Sequence, residues 1–263
     1  MQLGERLQRE GKHDDIRRIR ELRSEHTDHS WMWVVNPVHG PVLHADEFSI
    51  AMRVRLGAPL LLDSMLCEVC QKRVLDVKCT HALCCSLAES TIGHNRVKEV
   101  IHAGCSISDP GACMEAVGLV DSQPNLRPAD ILTRAAIPNR TAALDVGVKC
   151  PEAAGAGDDC TQTMVEEKLA YYAAILPELE RKGITYCPIT FSSFGRRHGT
   201  TSRIMQEAAS RAARFRGQLN SKQMLRSWSA TVTTELWRRV ARMVKACLPK
   251  VVGSEQLLQV DEG

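Results

Sequence analysis

Apolar residues along this chain follow two spacings, one helical and one typical of short strands. Helical spacing or a helix-forming composition marks six segments: 3–26, 46–56, 94–105, 162–182, 201–216 and 222–247. Short, apolar and partly β-branched runs mark four predicted strands: 116–120, 127–133, 142–148 and 184–191. Between residues 94 and 191 the predicted order is therefore helix, three strands, helix and strand. This pattern predicts a mixed α/β (α+β) domain.

Turn and capping residues set the expected ends of these elements. Asp46 is predicted to cap the second helix, and Gly57 with the following Ala-Pro is predicted to end it. Gly183 is predicted to cap the end of the helix at 162–182. Pro188 predicts an edge strand or a bulge, because proline has no N–H to donate to a strand ladder.

The pattern divides the chain into five parts. They are a charged helical and linker segment (1–45), a helix with a cysteine-rich segment (46–92), an α/β core (93–200), basic helices (201–252) and a tail expected to be disordered (253–263). A chain of 263 residues is long enough for one or two domains with a buried core.

Four residues of the second part have the spacing of a zinc knuckle: Cys67, Cys70, His81 and Cys85. Zinc favours four soft or borderline ligands in a tetrahedron, and this set leaves no position open for water, so we predict a structural Zn²⁺. Cys79 and Cys84 compete for the same role. Cys85 is preferred because it lies four residues after His81, on the same helical face. The alternative is a group of buried free cysteines beside a surface histidine.

Two aspartates of the predicted core lie in or beside neighbouring strands. Asp145 stands inside an apolar strand, where an ionised carboxylate is costly unless it is paired or binds a metal. Asp130 lies in or beside the strand before it, so both can converge on one cation, and hard oxygen ligands suit Mg²⁺. Lys168 and Tyr172 follow on one helical face. The alternative is an ion pair of Asp145 with Arg140 or Arg127, and a surface role for Lys168.

Charge is distributed unevenly along the chain. The net charge is only +3, but residues 196–250 carry thirteen Lys or Arg against Glu207 and Glu235. Such a stretch favours a polyanionic partner, since contacts to phosphates release condensed counterions. Eleven cysteines without an apolar export signal favour reduced thiols, and no apolar run is long enough for a membrane span. We therefore expect an intracellular protein.

Seven motifs in order resemble the C-terminal region of site-specific non-LTR retrotransposon polyproteins. They are CxxC, HALCC, HNRVKEVI, RPADIL, AALDVGV, EEKLAYY and GITYCPITF, and with DEFSIAMRVRLGAPL, which resembles the connector from the reverse-transcriptase thumb, they cover about residues 46–191. In that family a CCHC zinc knuckle precedes a restriction-like endonuclease of the PD-(D/E)XK class. No YxDD-like carboxylate pair occurs in the chain, so the polymerase domain is absent. We expect a fragment, a domesticated remnant or a decayed copy.

The resemblance assigns roles to individual residues. It places the catalytic and metal-binding aspartates at Asp130 and Asp145, and the helix-borne lysine and tyrosine at Lys168 and Tyr172. Two departures stand out: Ala129 is inserted between the proline and the aspartate, and Gly147 stands where a D/E-x-K motif has its lysine. Lys149 is the alternative catalytic lysine. The expected nucleic-acid contacts are His94, Asn95, Arg127, Arg196 and Arg197.

The function implied by the resemblance is a Mg²⁺-dependent DNA endonuclease that nicks target DNA for reverse transcription. The expected partners are DNA and element RNA, no membrane association is expected, and the expected location is nuclear. A second hypothesis is a catalytically inactive, zinc-stabilised nucleic-acid-binding module with the same fold. A third is a zinc-stabilised scaffold whose basic helices bind an acidic protein.

Overall fold

Helices and strands alternate in the predicted order through the middle of the chain. The computed structural model describes residues 13–34, 41–85, 89–217 and 220–249. The α-helices of this described part are α1 (His13–Arg23), α2 (Ala45–Leu56), α3 (Ser90–Ser106), α4 (Cys160–Tyr172), α5 (Leu176–Arg181), α6 (Gly199–Arg216) and α7 (Ser221–Cys247). Its strands are β1 (Met65–Leu66), β2 (Val74–Leu75), β3 (Cys113–Met114), β4 (Ile131–Ile137), β5 (Arg140–Lys149) and β6 (Ile184–Ser192). Short 3-10 helices occupy Ser30–Trp33 and Thr80–Cys84.

Several predicted boundaries differ from the structure. The strand predicted at 116–120 is instead β3, which ends where Glu115 adopts the left-handed region at φ +53°. The helix predicted at 162–182 is two helices, because the second begins around Pro177, which has no N–H to continue the first. His44, not Asp46, is the N-cap of α2. The predicted residues 3–12 and 253–263 lie outside the described residues.

The sheet that carries the core has the strand order β3-β4-β5-β6. Its first two pairings are antiparallel and the last is parallel, so helices α4 and α5 form the crossover from β5 to β6. β6 is at the edge of the sheet, which confirms the edge position predicted from Pro188. Gly57 and Gly183 adopt φ +65° and +71°, and both follow helices as predicted.

Each face of this sheet is covered by helices. One face presents Ala142, Leu144 and Val146 to a buried cluster that includes residues of α3, α6 and α7. The other face is covered by α4 and α5, where Leu179 joins a smaller apolar cluster. A third cluster joins the cysteine-rich segment and α2 to the second half of α7. Helix α7 therefore connects the sheet to the cysteine-rich segment.

The helices of the described part include none with the length and apolar character needed to cross a bilayer.

Gly104 allows α3 and α7 to approach closely. A Cβ atom there would lie 2.1 Å from the ring of Trp228, whose Nε1 donates to Val100 O at 3.0 Å. We predict that Gly104→Ala lowers the free energy of unfolding by about 1–3 kcal/mol, because overpacking outweighs the gain in helix propensity. Gly199→Ala in α6 has open space and should change it by less than about 1 kcal/mol. Urea unfolding of both variants measures the difference, and equal values would contradict this packing.

Candidate functional site

The first candidate site is the cysteine-rich segment. The ligand atoms of Cys67, Cys70, His81 and Cys85 all lie within 4.8 Å of one another. The β1–β2 hairpin supplies the first two, and its turn is closed by hydrogen bonds from Cys67 N to Arg73 O and from Gln71 N to Cys67 O. The 3-10 helix at Thr80–Cys84 carries His81, and Cys85 follows it. This Cys₃His group could bind a metal such as zinc, because its donors are those that zinc prefers.

The surroundings of Cys70 favour the thiolate form of its side chain. The backbone N–H of Lys72 is the main reason that the pKa of Cys70 falls to about 6, and His81, Arg73 and Cys67 act in the same direction against burial. Its Sγ lies 3.3 Å from Nε2 of His81. Metal coordination requires the deprotonated thiol, so this hairpin favours the ligating form before metal arrives.

The two competing cysteines lie outside this group of four. Cys79 is buried before the 3-10 helix, and burial raises the pKa of its thiol to about 12. Cys84 forms a side-chain hydrogen bond with Cys150. Neither belongs to the four-residue group found among the described residues, which instead contains Cys85.

A fifth cysteine contacts this group, and no sequence motif indicated it. Cys247, at the end of α7, is fully buried and forms side-chain hydrogen bonds with Cys67 and Cys85. Burial raises the pKa of this thiol, so Cys247 stays protonated and can donate to the neighbouring sulfurs. The amide of Glu68 also donates to the carbonyl of Cys247, at 3.1 Å. These contacts attach the Cys₃His group to the long helix.

The adjacent cysteines provide a matched test of the ligand set. We predict that Cys85→Ser abolishes stoichiometric zinc binding and lowers stability. Zinc at a free concentration of about 1,000 times its Kd adds about 4 kcal/mol to the free energy of unfolding, and the variant would lose this contribution. Cys84→Ser should keep both the zinc and most of the stability. Elemental analysis of the purified variants and thermal unfolding with and without a chelator measure the two effects. Zinc loss in Cys84→Ser with retention in Cys85→Ser would contradict the assignment.

The second candidate site lies on neighbouring strands of the core sheet. Asp130 comes just before β4 and lies near Asp145 of β5, since Ile131 pairs with Leu144 and the charge of Asp130 acts on Asp145. Asp130 N donates to Leu144 O at 2.9 Å, and Val146 N donates to Asp130 Oδ2 at 2.7 Å. The two aspartates that were predicted to converge are therefore brought near each other.

Asp145 is held by two donors. The ammonium of Lys168 lies 2.6 Å from Oδ1, and the hydroxyl of Tyr186 donates to Oδ2 at 2.5 Å. Burial raises the pKa of Asp145 above its usual value, Lys168 and Tyr186 oppose that shift, and the charge of Asp130 adds to it. Tyr186 was not predicted as a site residue. Its place beside Asp145 depends on how β6 pairs with β5, and the sequence does not give that register. The alternative pairing of Asp145 with Arg140 is wrong, since Arg140 pairs with Glu180 at 2.6 Å.

Gly147 explains why the lysine of this site comes from a helix. A Cβ atom at this position would lie 2.3 Å from Sδ of Met164 and 2.8 Å from Cε of Lys168. The side chain of Lys168 thus occupies the space that a side chain two residues after Asp145 would need. The alternative, Lys149, instead reaches Glu167 at 2.5 Å.

Asp130 lies in a second group of charges. His94 Nε2 is 3.6 Å and Lys98 Nζ is 4.0 Å from Asp130 Oδ1, while Lys98 donates to Glu115 at 2.5 Å. Burial would raise the pKa of Asp130, but His94, the Val146 amide and Lys98 together outweigh it, and this pKa lies below its usual value. Lys98 and Glu115 were missed, although Lys98 lies four residues after His94 on the same helix, a spacing that could have found it.

The other predicted site residues fall into two groups. Tyr172 packs its ring against Tyr186, with centroids 5.2 Å apart, and so supports the site through that residue. Arg127 lies at the edge of the site, where it pairs with Glu115 at 2.7 Å. Asn95 is exposed on the same helix as His94.

The predicted nucleic-acid contacts Arg196 and Arg197 are not confirmed, because both side chains are largely buried in internal pairs. Arg196 binds Glu21 at 3.1 Å and also Asp159, while Arg197 donates to Ser229 at 2.6 Å. Both arginines therefore connect segments of the fold and are not available to a polyanion.

Comparisons of the chain with protein families, with curated proteins and with solved structures found no match.

Tyr186 should set the protonation of Asp145. Tyr186→Phe removes a hydrogen bond to the charged carboxylate, so the pKa of Asp145 should rise further, as carboxyl NMR titration would show. A carboxyl group whose pKa is higher in the folded than in the unfolded chain stabilises the folded state below a pH of about 4. This stabilisation is lost as the pH rises through the folded-state pKa. The variant should therefore lose more stability than wild type between pH 3 and pH 7. Tyr171→Phe, at an exposed ring, is the control, and an equal response of both variants would contradict this role.

Proposed function

We propose that this chain is a divalent-metal-dependent DNA endonuclease with a restriction-like PD-(D/E)XK core, derived from a non-LTR retroelement. The observation that supports it most is the cross-strand pair of Asp130 and Asp145 with the ammonium of Lys168 2.6 Å from Asp145. Two carboxylates and a lysine on one face are the groups that metal-assisted phosphodiester hydrolysis requires. The element order and the motif resemblance support the same reading.

The carboxylates fit a hard divalent cation such as Mg²⁺. Asp130 Oδ1 has only the longer contacts to His94 and Lys98, and Asp145 keeps unused lone pairs beside its two donors. The raised pKa of buried Asp145 also means that further positive charge would stabilise its ionised form. Asp130 and Asp145 would hold the ion, which when bound would lower the pKa of a water and offset charge on the phosphate.

The protein's own groups would supply the remaining chemistry. Lys168, placed by α4 and by the absence of a side chain at Gly147, can donate to the attacking water or to the phosphorane oxygens. Tyr186 fixes the orientation of Asp145, so that Oδ1 faces Lys168. Arg127, with more than half of its side chain exposed beside Glu115, and the exposed Asn95 would contact the DNA backbone. A DNA partner is consistent with the proposed nuclear location.

The Cys₃His group would be a structural zinc knuckle in this proposal. Its four protein ligands would leave no coordination position for water, so it would contribute folding free energy and not catalysis. Two-residue strands cannot bury a core of their own. Zinc would therefore fix the segment that precedes the nuclease core.

A second candidate function is a catalytically inactive nucleic-acid-binding module. The charge balance favours it: the negative charges of Asp130, Asp145 and Glu115 are matched by Lys98, Lys168 and Arg127 without a metal. A fold that had lost cleavage could retain this arrangement as a structural network.

Plasmid nicking separates the two functions. We predict that the wild-type protein nicks supercoiled DNA in Mg²⁺ and not in EDTA, and that Asp145→Asn lowers the rate by about 100-fold or more, because it removes a carboxylate proposed to hold the metal. Lys168→Ala should cause a comparable loss, while Lys149→Ala should cut normally because Lys149 reaches Glu167.

Asp158→Asn, at an exposed carboxylate paired with Arg20, is the matched control for the aspartate change. Thermal unfolding of each variant shows whether the fold is kept. Wild-type protein that binds DNA in a salt-sensitive way without cutting it would support the inactive module instead.

A further inference from the structure

A recess at the hairpin end of the core sheet is lined by three arginines. Arg134 comes from β4, Arg140 from the start of β5 and Arg211 from α6, and the recess has a volume of about 420 Å³. The turn residue Asn139, at φ +57°, and the exposed Gly183 complete its rim. Arg211 Nη1 donates to the carbonyl of Arg134 at 2.7 Å, which fixes the helix against the strand.

The charge of this recess is only partly compensated. Arg140 binds Glu180 at 2.6 Å and Arg211 binds Glu207 at 2.7 Å. Arg134 is exposed, and its guanidinium has no hydrogen-bond or ion-pair partner within the described part of the chain. Three guanidiniums with two carboxylates leave one net positive charge, at the residue that faces solvent.

Donor capacity for an anion remains on all three side chains. A guanidinium has five N–H donors in a fixed plane, and the internal contacts use one such group on Arg140 and two on Arg211. This planar fork matches the oxygens of a phosphate group. Two of the three charges are offset by Glu180 and Glu207 and one is not, so the geometry points to phosphate as the chemistry that the recess recognises.

The position of the recess relates it to the aspartate pair. In β5, Asp145 lies five residues after Arg140, about 16 Å along the strand at 3.3 Å per residue. Because side chains alternate along a strand, residues five apart point to opposite faces, so Arg140 does not lie on the face of Asp145. The recess therefore lies outside the proposed cleavage site.

We propose that the recess formed by Arg134, Arg140 and Arg211 binds a backbone phosphate of nucleic acid outside the cleavage site. This inference rests on the proposed DNA-binding function and assigns the contact that positions the duplex. Arg196 and Arg197, which the sequence had suggested for that role, are committed to internal pairs. Arg214 and Arg216 are also exposed on the helix that carries Arg211.

The test is the salt dependence of duplex binding, measured by fluorescence anisotropy in EDTA, where no cleavage can occur. Each phosphate contact contributes about 0.9 to the slope of log K against log salt concentration. Arg134→Gln should reduce the steepness of that slope by about 0.9. Raising the salt from 50 to 200 mM should then weaken binding by the variant about 3-fold less than binding by the wild type. Arg23→Gln, at an exposed arginine on α1, makes the same charge change far along the chain from the hairpin and should leave the slope unchanged.

The outcomes separate this inference from the proposed function. Equal slopes for the Arg134 and Arg23 variants, with tight binding of DNA by both, would overturn the recess and leave the nuclease proposal intact. Failure of the wild-type protein to bind duplex DNA would overturn both. Inorganic phosphate is the second probe: if it shifts the arginine side-chain NMR signals of the recess while duplex DNA does not, the nucleic-acid assignment is wrong.

Discussion

The core is arranged so that donors surround the buried carboxylate of Asp145. A charge in the middle of a buried strand is unfavourable unless donors reach it, and here they come from both sides: Lys168 from the crossover helix and Tyr186 from the parallel edge strand. Gly147 makes room for the lysine, and Met164 fills the rest of that space. The crossover is therefore tied to the sheet by electrostatics as well as by apolar packing.

Helix α7 packs against both the core sheet region and the cysteine-rich segment. Its first half packs against α3 and α6 over the sheet, and its last buried residue, Cys247, contacts the sulfurs of the Cys₃His group. A metal bound to that group would also fix the end of this helix, since Glu68 donates to the Cys247 carbonyl. Metal binding and the integrity of the α/β core are thus physically connected, although the two sites use separate residues.

Part of the basic charge after residue 195 lies in ion pairs within the fold. Arg196 and Arg238 reach acidic residues far away in sequence, Glu21 and Glu47 respectively, and hold the N-terminal helices against the core. Arg134 on the sheet has no such partner within the described part of the chain, so its charge stays at the surface. The count of positive charges in a stretch of sequence therefore overstates the surface available to nucleic acid, because ion pairing depends on tertiary neighbours.

The sequence alone predicted the element order, an edge or a bulge at β6 and the candidate metal ligands, since these follow from local spacing, from the missing N–H of Pro188 and from the chemistry of Cys and His. It also predicted that Asp130 and Asp145 lie near each other, because they stand in or beside neighbouring strands. The positions of Tyr186 and Lys98 beside these aspartates, and of Cys247 beside the thiol group, are seen only in the folded chain. Those contacts depend on strand register and helix packing across long stretches of chain, which no local pattern encodes.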